Sequence, residues 1–124
     1  MFRRMVPAAV VALIALSPLP GLADEGRDHG VIQILRVESA LSRDDVIKVA
    51  AATAADFETI PGLKQKYYVE LGEPNHYGAV YVWESRDAMM AFLETDFART
   101  MGDAYQLTST PTVEVLSTVF ELRD

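Results

Sequence analysis

The chain has 124 residues, no cysteine, and 18 acidic against 11 basic residues, for a formal charge of −7. That length suits one domain. The lack of thiols excludes disulfides and Cys-ligated metals, and the acidic balance disfavours nucleic acid or an anionic membrane surface, both bound by basic patches.

The amino terminus opens with Phe2-Arg3-Arg4, continues through an apolar stretch from Met5 to Leu16, and reaches Ser17-Pro18-Leu19-Pro20-Gly21-Leu22-Ala23. A positive start, an apolar run too short to span a bilayer and small residues at Gly21 and Ala23 read as a secretory signal peptide over residues 1–23. Pro7, Pro18 and Pro20 argue against a buried helix, and an uncleaved anchor is the alternative. Cleavage after Ala23 would release residues 24–124, with nine basic and 18 acidic residues and a formal charge of −9, into the periplasm or the medium. No later stretch is apolar for long enough to cross a membrane.

Val31 to Glu38 is short, β-branched and apolar, as a largely buried first strand should be. Ser42 with Asp45 three residues on supplies a helix start, and Val46, Val49, Ala50, Thr53 and Phe57 follow at helical spacing until Pro61-Gly62 ends the helix. Leu63 to Leu71 and Tyr77 to Glu84 are two aromatic, β-branched runs joined by Gly72-Glu73-Pro74-Asn75-His76, which predicts an antiparallel hairpin. Ser85 caps a second helix in which Met89, Leu93, Phe97 and Met101 recur every fourth residue as a core stripe, until Gly102 stops it. After a loop, Thr112 to Leu122 alternate as a fourth strand.

The order β-α-β-β-α-β predicts an α+β, ferredoxin-like domain: an antiparallel four-stranded sheet with both helices on one face. The other face then needs a cover, and a second copy of the chain would supply it, giving a homodimer built as a dimeric α/β barrel.

Alternation in the hairpin sets Lys64, Lys66, Tyr68 and Glu70 on one side and Gln65, Tyr67, Val69 and Leu71 on the other. On the returning strand Tyr77, Ala79, Tyr81 and Trp83 share a side. Aromatics with a few convergent polar groups are how a small apolar or aromatic ligand is held, which makes Lys66, Tyr68, Glu70, Tyr81 and Trp83 the candidate binding residues. The plainer readings are that the aromatics fill the core and a dimer interface, and that Lys66 and Glu70 are solvated or pair with a neighbour such as Glu84. His29 and His76 form no metal-ligand spacing, and the chain shows no glycine-rich phosphate loop, no deducible Ser-His-Asp set and no close carboxylate pair. No metal or cofactor is expected, and no catalytic residue is assigned.

Pro61-Gly62-Leu63, then Lys66, Tyr68 and Glu70, then Gly78-Ala79-Val80-Tyr81-Val82-Trp83 and a Ser/Asp-led helix resemble the YdhR-type mono-oxygenase family of the dimeric α/β-barrel superfamily. Tyr68 stands where that family usually has Trp, Leu71 where Asn often follows the Glu, and Ala79 where a second Gly is common. The resemblance implies the fold, the dimer and cofactor-independent oxygenation of a small aromatic compound. A non-catalytic ligand-binding module and a dimeric interaction domain are the competing readings.

Overall fold

The computed structural model describes residues 30–123, so the expected signal peptide and His29 lie outside the described residues. The elements run β1 (Val31–Glu38), α1 (Arg43–Glu58), β2 (Leu63–Glu70), β3 (His76–Trp83), α2 (Arg86–Leu93), α3 (Asp96–Ala104) and β4 (Thr112–Ser117). The four strands form one sheet in the order β2-β3-β1-β4, and every neighbouring pair is antiparallel. This is the ferredoxin-like α+β arrangement.

Local chemistry accounts for the element ends. The Ser42 hydroxyl accepts from the Asp45 N–H at 3.2 Å and starts α1, whose first turn carries Asp44 and Asp45 against the positive end of the helix dipole. Gly62 sits at φ +81°, a conformation L side chains rarely adopt, and a Cβ there would collide with Ala88 of α2. The Pro-Gly-Leu step therefore serves the close passage of the chain under α2. Beyond it, Leu63 pairs with Trp83 and Gln65 with Val82, so Lys64 is the extra residue of a bulge. Asn75 at φ 68° turns the hairpin, and its amide donates to Ser39 O at 2.8 Å and Leu41 O at 3.1 Å, tying the turn to the β1–α1 connection.

Register decides which side chains meet, since residues directly opposite one another share a face. The helix-side rows are Leu63-Trp83-Val31-Ser117, Lys66-Tyr81-Gln33-Val115 and Tyr68-Ala79-Leu35-Val113. On that side Val31, Ala79, Tyr81 and Trp83 form one buried cluster with Phe57 of α1 and Met89 and Phe92 of α2. The opposite face carries Gln65-Val82-Ile32-Leu116 and Tyr67-Val80-Ile34-Glu114, with no described helix across it.

Two expectations need correction. The single second helix is two, because Thr95 caps a new helix by accepting from the Ala98 N–H at 3.1 Å while its hydroxyl donates to Phe92 O at 2.6 Å. The break shifts the helical phase, so Phe92 is buried in place of Leu93, which is 41% exposed, and Gly102 lies within α3 rather than ending it. The fourth strand ends at Ser117, not Leu122. Thr118 N–H still donates to Gly30 O at 3.1 Å, and Lys64 Nζ holds Glu121 at 2.8 Å, so the tail turns across the end of the sheet with Val119, Phe120 and Leu122 exposed.

Candidate functional site

A cavity of about 430 Å³ opens between the helix-side face of the sheet, α1, α3 and the loop that follows α3. Its size lies within the roughly 300–1,000 Å³ range of small-molecule sites. Leu35 and Val37 of β1, Val46 and Ile47 of α1, Met101 of α3 and Leu107 supply much of its apolar wall.

Strand alternation brings Lys66, Tyr68 and Glu70 of β2 and Tyr81 of β3 to this cavity. Trp83 is set apart from it. At 1% exposure Trp83 belongs to the core, one residue row beyond, and stacks on Tyr81 at 5.9 Å with the planes 3° apart. Its indole N–H donates to Gln33 Oε1 at 2.9 Å. Indole can only donate, so this bond fixes the orientation of the Gln33 amide, whose Nε2 hydrogens remain for other partners where Gln33 lines the cavity.

Lys66 is the chemically distinctive group. Its Nζ stands 3.4 Å from the centroid of the Phe57 ring, 4.3 Å from that of Tyr68 and 4.7 Å from that of Tyr81. Among the described residues no carboxylate pairs with it. Glu84, a partner in the plainer reading, forms no ion pair with Lys66. Glu70 instead accepts from Arg43 Nε at 3.1 Å at the cavity mouth, with both side chains more than half exposed, an arrangement worth little energetically. Desolvation pushes the Lys66 amine down from 10.5 to about 7. The ring faces favour the ammonium, so the group can hold or release a proton near neutrality.

Three phenols complete the polar end. Desolvation, with a smaller contribution from Tyr105, pushes Tyr68 up to about 12. Tyr81, 5% exposed, is raised further by desolvation and then by Tyr68 and Tyr105. Tyr105 is raised by desolvation, only partly offset by the Thr53 hydroxyl, and its own hydroxyl is buried without a hydrogen bond of good geometry among the described residues. All three are neutral donors at ordinary pH.

Sequence reasoning missed Gln33 and Tyr105. Gln33 left a signal, an amide flanked by apolar residues, two positions from Val31 and Leu35 on the buried face. Tyr105 left none. Its place depends on tertiary bonds: Ser39 Oγ donates to Tyr105 O at 2.6 Å, and Ala40 N–H to Gln106 O at 3.0 Å. Among the described residues no group of three or more His, Asp or Glu side chains could hold a metal ion.

Comparison with solved structures places this architecture among known ones. The chain is similar to SnoaB, a cofactor-independent oxygenase from Streptomyces nogalater, with a TM-score of 0.62 and 23% identity over 77% of this chain and 99% of that one. A Bordetella bronchiseptica protein assigned to the antibiotic biosynthesis monooxygenases gives 0.62 and 21% over 73% and 99%. Rv0793 from Mycobacterium tuberculosis gives 0.62 and 17% over 75% and 98%. At these identities the likeness establishes the ferredoxin-like fold. No family model matches the chain, and no curated protein does.

Proposed function

We propose that this is an exported homodimer that binds a small aromatic compound in the helix-side cavity and oxygenates it without a cofactor. The observation that carries the reading is the unpaired Lys66 amine, enclosed by Phe57, Tyr68 and Tyr81 at the wall of a cavity of about 430 Å³. Such a group can take a proton from an activated aromatic substrate and steady the resulting anion out of water. In the overall reaction a ring CH₂ and O₂ become a carbonyl and water. The substrate's carbanion supplies the electrons, one oxygen atom stays on carbon, and the other leaves with the two hydrogens. The resemblance of the hairpin and the likeness to SnoaB support this chemistry.

The open sheet face supports the dimer. Val82, Ile32 and Leu116 lie in one row and Val80 and Ile34 in the next, a two-fold-compatible apolar surface for a second copy. Export rests on the amino-terminal pattern, and intact-mass measurement of secreted protein beginning at Asp24 would bear it out.

The test of the cavity uses Trp83, the chain's one tryptophan, stacked on the cavity-lining Tyr81. Titration with polycyclic phenols should change Trp83 emission, and an oxygen electrode should record uptake with the reactive members of the series. Binding without uptake would favour the non-catalytic module, a reading that the engagement of Glu70 by Arg43 also suits.

A further inference from the structure

The polar groups of the cavity are unbalanced in a way that specifies its ligand. As an ammonium Lys66 offers only donors, and Gln33, whose oxygen already accepts from Trp83, adds its Nε2 hydrogens. Tyr68, Tyr81 and Tyr105 add hydroxyls that can donate or accept, that of Tyr105 buried without a hydrogen bond of good geometry among the described residues. The carboxylate on the lining, Glu70, lies four positions along β2 from Lys66, about 13 Å at the strand rise, and is already held by Arg43. With Arg43 and Glu70 paired to each other on the lining, Lys66 is the cation of the cavity that has no anion of its own among the described residues.

Resting on the small-molecule reading above, we infer that the natural ligand is an aromatic compound bearing one anionic oxygen group, a carboxylate or a phenolate, seated against Lys66. The apolar wall of Leu35, Val46, Ile47 and Met101 accepts the ring system. The oxyanion supplies the countercharge that Lys66 lacks and acceptors for the remaining donors. A neutral ligand would leave that charge uncompensated in a desolvated place, and a cationic one would be repelled.

The probes are 2-naphthoate, 2-naphthol and 2-naphthamide, followed by Trp83 fluorescence with the full secreted protein. Naphthoate should bind at least about tenfold more tightly than the isosteric amide, a difference of about 1.4 kcal/mol. The two oxyanion sources separate by pH. The free Lys66 amine titrates near 7, so naphthoate must bring a proton from solution at higher pH, and its affinity should fall between about pH 7 and pH 9, approaching tenfold per unit. Naphthol delivers its own proton to the amine and should bind with little pH dependence over that range. The groups facing the amine, Tyr68, Tyr81 and Tyr105, have raised pKa values and stay neutral there. Lys66→Met should abolish the preference over the amide, and the wild-type series tests the inference even if that variant fails to fold. Equal binding of naphthoate, naphthol and naphthamide would overturn the inference while leaving the small-molecule reading intact. Absence of binding by all three would overturn both.

Discussion

The Trp83 indole N–H and the Gln33 side-chain oxygen meet at 2.9 Å with both residues at least 97% buried, which joins the core of the sheet to the wall of the cavity by one hydrogen bond. Gln33→Leu keeps an apolar side chain of similar size but strips the indole of its partner. A buried donor left unsatisfied costs about 1–3 kcal/mol. Urea denaturation should show that loss as a lower midpoint with an unchanged slope, and Trp83 emission should shift in the folded state. An unchanged midpoint would mean that the bond has no net worth.

Lys66 makes stability depend on pH in a defined direction. Its folded pKa of about 7 lies below the ordinary 10.5, so between those values the unfolded chain binds more protons and stability rises with pH. Below about 7 the penalty for the buried charge is fully present. Above the ordinary lysine value it is gone, and the raised phenol pKa values of Tyr68, Tyr81 and Tyr105 then turn the trend downward as the unfolded phenols ionise first. Denaturation midpoints measured from about pH 7 to pH 9.5 should climb for the wild type and stay flatter for Lys66→Met. Parallel profiles would show that Lys66 is fully solvated.

The proposed dimer can be tested without disturbing the helix side. Val82 and Leu116 lie on the sheet face opposite the buried cluster, and both align with Ile32. The double variant Val82→Arg, Leu116→Arg should run as a monomer in light scattering, where the wild type should run as a dimer, and should keep its far-UV spectrum. The exposed Phe120 and Val119 extend the apolar surface at the end of the sheet, so Phe120→Asp should weaken the dimer by a smaller margin. A wild-type monomer at micromolar concentration would remove the barrel.

Legibility in the sequence tracked how locally each feature is determined. The limits of β1 and the cap of α1 at Ser42 follow from short-range pattern and were readable as such. The alternation of β2 put Lys66, Tyr68 and Glu70 on one face correctly, although it also placed Lys64 there, and the bulge between Leu63 and Gln65 takes Lys64 out of that series. The break between α2 and α3 was concealed because Met89, Leu93, Phe97 and Met101 satisfy a four-residue period straight across it. Only Thr95 before Asp96 hinted at a new cap. Alternation likewise ran past Ser117, where the ladder with β1 ends at Val31 and Thr118 N–H reaches only Gly30 O just before that strand. For the site, strand periodicity could nominate residues but could not rank depth. It grouped Trp83 with Tyr81, although the cavity stops at Tyr81 and Trp83 lies in the core.

The two tyrosines at the site should behave differently when truncated, and the difference decides how the cavity is read. Tyr68 is 43% exposed and touches the Lys66 ammonium with its ring face. Tyr81 is 5% exposed, stacks on Trp83, and lies 6.2 Å from the rings of both Phe57 and Phe92. Tyr81→Ala therefore opens a void in an aromatic cluster and should cost about 3–5 kcal/mol, as core aromatic truncations do. Phe97→Ala, next to Phe57 at 5.0 Å, is the matching control. Tyr68→Ala should cost less than about 1.5 kcal/mol, in keeping with its exposure, yet weaken aromatic ligands by at least about tenfold, because it removes one wall of the Lys66 enclosure. Tyr81→Phe separates the two roles of Tyr81: it keeps the packing, should melt close to the wild type, and should lose affinity only for ligands whose oxygen uses the phenol as a donor. Thermal melts of the four variants with and without 2-naphthoate give all of these quantities in one experiment. If Tyr68→Ala proves as unstable as Phe97→Ala, Tyr68 is a packing residue, and the cavity wall would have to be assigned to Gln33, Lys66 and Tyr105 without it.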